Sequence, residues 1–185
     1  MTETVDAPPR ARVVGRVAAV LLVVAGVGFA IIHAAAGDAG GPEGWPQHVA
    51  IGLPLMAAGA IALLGSLEGA PWLMLAGGAA AVPICLVSFV GVPALLPAGV
   101  VIAVGASGLR AASPRDVLTA IALVALLVGG FGYEVLHRDP AQWETADGSA
   151  GSSNVVTTTE SVVVLVAVSL ALAVAGMYAR ANRRS

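Results

Sequence analysis

The chain has 185 residues, of which 58% are hydrophobic and 11% charged, with a formal net charge of −2. A soluble domain carries about a quarter charged residues, so these proportions exclude an ordinary water-soluble globule and predict apolar surface that faces lipid. The apolar runs are continuous rather than alternating, which argues against a closed β-barrel and predicts an all-α, polytopic transmembrane helical bundle.

In chain order, residues 1–12 read as an N-terminal tail, 13–180 as one membrane domain and 181–185 as a basic tail. Six spans are predicted, at roughly 13–36, 48–67, 72–90, 94–109, 115–136 and 161–179. The first holds Gly26 and Ala30, a small-xxx-small pair that allows close helix approach. Arginines, an apolar run and "AAAG" at 34–37 also fit a signal peptide cut after Ala36, but the run from Val17 to Ile32 is long for that role. The third and fourth spans come from 38 uncharged residues, Trp72 to Leu109. As one helix these would extend about 57 Å, nearly twice a ~30 Å hydrocarbon core, so the chain must fold back. "GVPALLP" at 91–97 is the natural turn, and a re-entrant hairpin there is the alternative to two full crossings. Pro83, inside span three, cannot donate to the Ala79 carbonyl. Beside Gly77, Gly78 and Ala79–Ala81 it is a candidate for shaping a lipid or ligand crevice.

Helix starts are legible. Ser113 fits an N-cap with Pro114 at the first helical position and Asp116 in the first turn. Thr157 with Glu160 is a capping-box pattern. The outer segment 137–160 reads as a loop, rich in Gly, Ser and Thr and expected to be the most mobile part of the domain. On span six, Ala167, Ala171 and Ala175 form a small-residue stripe, a candidate face for a membrane-protein partner or a second copy.

The nine basic residues are all arginine. Six crossings with the N-terminus inside put Arg10, Arg12, Arg16, Arg110, Arg115, Arg180, Arg183 and Arg184 in the cytoplasm and leave Arg138 outside, as the positive-inside rule requires. Five crossings would place three arginines from one terminus outside.

Chemistry-bearing residues are sparse. The single cysteine, Cys85, excludes an internal disulfide. No charge falls near the centre of a span, whereas pumps and ion-coupled carriers usually place ionisable groups there. The three histidines, His33, His48 and His137, all map to the outer face, and Glu134 lies three residues before His137. Histidines and carboxylates from separate helices can form a metal site, so His33, His48, Glu134 and His137 are the candidate ligands. The competing reading is interfacial anchoring, in the company of Trp45, Tyr133 and Trp143. Counted from Val117, Glu134 lies about 26 Å along its helix. That depth places it at the membrane exit with no need of a buried partner. Glu134→Gln and His137→Ala are then expected to leave folding nearly unchanged.

Two resemblances follow from short stretches. "GASG" at 105–108 resembles the G-x-S-G of rhomboid proteases, which implies a nucleophilic Ser107 and a histidine on the last span. Span six has no histidine, and His137 lies a bilayer away from Ser107. The basic N-terminus, "LEGAPWLMLAGGAAAVPICLVSFVGVPALLPAG" and the Thr/Ser-rich outer loop together resemble small polytopic membrane proteins of actinobacterial type, a group that implies no particular activity. The expected function is therefore that of a non-enzymatic bacterial inner-membrane protein, without cofactor or nucleic acid, acting on membrane partners or lipids. A small-molecule or metal-handling protein is the alternative, and a membrane enzyme comes third.

Overall fold

The structure is a computed structural model that describes residues 9–37, 45–109, 113–144, 150–155 and 157–183. Its helices are α1 (Pro9–Gly37), α2 (Trp45–Glu68), α3 (Pro71–Val87), α4 (Leu95–Ser107), α5 (Pro114–Leu136) and α6 (Thr158–Asn182). Each predicted span coincides with one helix. The first turn of α1 begins inside the predicted tail, and α3 ends a few residues early. Three helical stretches, Arg10–Ile32, Pro114–Leu136 and Thr158–Asn182, are long and apolar enough to cross a membrane. The other apolar stretches, Gly52–Glu68, Pro71–Val87 and Val92–Ser107, are shorter, and α3 has 17 residues and α4 only 13.

The turns follow from their residues. Gly69 takes φ +64° after α2, and the Ala70 N–H donates to the Gly65 carbonyl at 2.8 Å, closing a Schellman turn before Pro71 opens α3. The reversal expected at 91–97 lies slightly earlier. A 3-10 turn, Phe89–Ala94, holds Pro93, while Pro97 sits in the first turn of α4, where its missing N–H costs no hydrogen bond. Both predicted caps are present as capping boxes, Ser113 with Asp116 and Thr157 with Glu160.

Neighbouring helices alternate in direction, as their contacts show. A Cβ built on Gly52 would lie 2.4 Å from the Gly26 carbonyl, and one on Gly59 would lie 2.7 Å from the Val23 nitrogen, so α1 and α2 run antiparallel. Gly77 meets Ala58 and Ala62 of α2, and Gly78 meets Ala98 and Ile102 of α4. In the α5–α6 pair, Asp116 accepts from the Tyr178 hydroxyl at 2.6 Å, while Gly130 faces Ala167. One core joins all six helices, with Leu22, Leu55, Leu73, Ala98, Leu127 and Val164 among its members.

The segment between α5 and α6 departs from the predicted loop. Strands β1 (Asp139–Glu144) and β2 (Ala150–Val155) pair antiparallel from Asp139↔Val155 to Glu144↔Ala150. Backbone pairing supplies order there that the Gly- and Ser-rich side chains of β2 do not advertise.

The alternation gathers like features at one end. Ser66 donates to the Arg12 carbonyl, Arg183 pairs with Glu68, and the Arg115 guanidinium lies 5.6 Å from the Tyr178 ring centroid. The start of α1, the end of α2, the start of α5 and the end of α6 therefore share this end, with exposed Arg10, Arg12, Arg16, Arg115, Arg180 and Arg183. The hairpin and Arg138 lie at the other.

Candidate functional site

Of the four predicted site residues, the described side chains are those of Glu134 and His137, and these two sit in different environments. The side chains of His33 and His48 lie outside the described residues. His137 caps the C-terminus of α5 and is exposed. Its Nδ1 lies 2.9 Å from the Tyr133 carbonyl, which makes Nδ1 the protonated nitrogen, and its ring stacks on Tyr133 at 4.1 Å between centroids. That arrangement matches an interfacial aromatic pair.

Glu134 differs from the expectation. Its side chain is 0% exposed. It belongs to the inward face of α5 with Leu123, Leu127, Gly130 and Phe131, residues spaced to lie on one side of a helix. It also has a partner, the partly buried Arg138. Arg138, four residues on, donates Nε–H to Glu134 Oε1 at 2.7 Å and pairs with the same oxygen through its terminal nitrogen. The other oxygen, Oε2, has no hydrogen-bond partner among the described residues. The exit reading treated depth along the helix as sufficient, but the direction of the side chain around the helix axis decides its burial.

Near Glu134, Gly130 receives Ala167 of α6, and around Gly129 and Gly132 a Cβ would meet nothing within 4 Å. Helix α6 thereby brings a second carboxylate, Glu160, to this end. Glu160 is 5% exposed and accepts from the Thr157 N–H at 2.7 Å and from the Thr157 hydroxyl. Sequence reading passed over Arg138 as a partner, although the Glu-x-x-x-Arg spacing is a standard helical ion-pair signal. Among the described residues, no group of three or more His, Cys, Asp or Glu side chains could hold a metal ion.

A crevice of about 570 Å³ opens between α3 and α5, lined by Leu75, Ala76 and Ala79 on one side and by Ala120, Ile121, Val124, Ala125, Val128 and Gly129 on the other. It starts one turn before Pro83, as far as Ala79. Gly77 and Gly78 do not line it, since both are taken up by packing on α2 and α4. Ala171 and Ala175 are fully buried inside the chain and Ala167 packs on Gly130, so the stripe on α6 serves internal packing. Ser107 donates to the Val104 carbonyl at 2.8 Å and stands at the arginine-rich end, opposite His137. The chain matches no protein-family model, no curated protein and no solved structure.

Proposed function

We propose that this is a multi-pass protein of a bacterial cytoplasmic membrane, crossing six times with both termini inside. In this reading it is not an enzyme and acts by packing against lipids and membrane partners. The observation that carries the reading is the distribution of charge on alternating helices. The exposed arginines gather at one end while Arg138 pairs at the other, and large apolar side chains such as Leu96, Leu118, Ile121, Leu165 and Leu170 face outward between the ends.

Cysteine labelling tests the topology. Cys85 is fully buried and gives no background. Ser107→Cys should react with a membrane-impermeant maleimide only after the membrane is opened, and His137→Cys should react in intact cells. The reverse pattern overturns the proposed orientation. Affinity purification in mild detergent with mass spectrometry tests the packing role, and the expected result is reproducible recovery of one membrane protein or one lipid class. The α3–α5 crevice favours a second reading, a carrier of apolar small molecules. A stoichiometric small molecule in native mass spectra, lost in Ala125→Phe, would establish it instead.

A further inference from the structure

The Glu134 cluster holds one more negative charge than positive. Glu134 and Glu160 are both buried carboxylates, and Arg138 is the cation paired here. Glu160 accepts two donors from Thr157, both at its Oε2. Arg138 directs both of its donors to Oε1 of Glu134 and leaves Oε2 bare, although the side chain has no exposure to water. A bare carboxylate oxygen away from solvent is costly because of its charge, and a proton removes that charge. Protonation turns that oxygen into a donor and brings the cluster to neutrality.

Among the described side chains, Arg138 is the cation that pairs with Glu134, and the side chains of His33 and His48 lie outside the described residues. On α5 itself the neighbours are Arg138 and the exposed, Tyr133-stacked His137. Helix α6 contributes Glu160. Helix α3 carries no ionisable group but Cys85, and the described part of α2 carries its only carboxylate, Glu68, at the opposite end. No three-ligand metal group exists among the described residues.

We propose that Glu134 is a proton-binding site at the root of the hairpin, loaded from the aqueous phase at that end of the molecule and facing Arg138 and Glu160. The site is placed so that its occupancy reaches β1, because Arg138 immediately precedes Asp139. With Glu134 ionised, the guanidinium is held as an ion pair. With Glu134 protonated, Arg138 keeps only a neutral acceptor, and the hold on the hairpin root weakens. This inference depends on the cluster alone and not on which side of a membrane it faces.

The test is infrared difference spectroscopy of the full-length protein in detergent or nanodiscs between alkaline and acidic pH. A carboxylic-acid C=O band equivalent to one group, slow to exchange with deuterium, should appear on acidification. It should vanish in Glu134→Gln and remain in Glu160→Gln. Superimposable spectra from wild type and Glu134→Gln overturn the proposal, as does a band lost in Glu160→Gln alone. Should Glu134→Gln fail to fold, Arg138→Gln decides. The band must then persist to higher pH than in wild type, and an unchanged profile overturns the proposal. Removal of the band by one equivalent of zinc would replace the proton with a metal ion and also overturn it.

Discussion

Glu134 shares its helix face with Leu123, Leu127 and Phe131, and that companionship sets its energetics. Removing Arg138 strips a buried carboxylate of its partner among the described residues, so Arg138→Ala should lower stability by about 1–3 kcal/mol. His137→Ala removes an exposed ring that stacks on Tyr133 and should cost under about 1 kcal/mol. Thermal unfolding in one detergent compares the two, and equal losses would contradict the burial assigned to Glu134. At the other end, one residue beyond the second predicted span, the Arg183 side chain holds the Glu68 carboxyl below its ordinary value of 4.5. A lowered carboxylate contributes stability above its unfolded value and loses it as pH falls through the folded one. The end of α6 should therefore hold at neutral pH and loosen in acid, below the ordinary carboxylate range. Hydrogen exchange at residues 179–183 checks this, and Arg183→Gln should abolish the pH response. Only the spacing of Glu134 and Arg138 was legible beforehand, not the burial of Glu134 or the second pair. Glu68 and Arg183 are 115 residues apart, and a span that is apolar on every side offers no contrast to show which way Glu134 points.

At the scale of elements, length and capping were read well because both are local. Continuous apolar runs gave the helices, and Ser113 and Thr157 gave the starts of α5 and α6. Partner choice was read poorly, because small residues permit close approach without naming the neighbour. Gly77 and Gly129 separate the two cases. A Cβ on Gly77 would lie 2.4 Å from the Ala58 carbonyl and 2.9 Å from Ala62 Cβ, whereas Gly129 would meet nothing within 4 Å. Gly77→Ala must push α2 from α3 and should cost about 1–3 kcal/mol. Gly129→Ala should be neutral or stabilise by up to about 1 kcal/mol, since alanine is the better helix former. Detergent melting curves distinguish them, and a harmless Gly77→Ala would place the α2–α3 contact further apart than described. The hairpin was missed for a different reason. Its pairing lies in the backbone, and β2, "AGSSNV", has little of the branched or aromatic character that marks a strand.

At the scale of the whole molecule, alternation of helix direction turns a scattered set of arginines into a single charged end. Arg12 and Ser66, Glu68 and Arg183, and Arg115 and Tyr178 meet there from four different helices. Any change that reversed one helix would carry its arginines to the opposite end and break these contacts. Three added arginines after Arg138 should therefore lower the yield of correctly folded protein, and native gel mobility with trypsin sensitivity measures that loss.

The short pair α3 and α4 has a consequence for the lipid around it. At ~1.5 Å per residue, 17 and 13 residues extend roughly 26 and 20 Å, against roughly 35 Å or more for α1, α5 and α6. A protein seated in a bilayer with such unequal flanks forces acyl chains to compress on one side and not on the other. The deformation costs fractions of a kcal/mol per Å of mismatch, and it falls when two thin flanks meet. In bilayers of lengthening acyl chains the protein should cluster through the face carrying Leu96, which is 78% exposed, and disperse again in thin ones. Fluorescence energy transfer between labelled copies reads this directly, and an efficiency indifferent to chain length would show that the membrane meets both flanks at equal thickness.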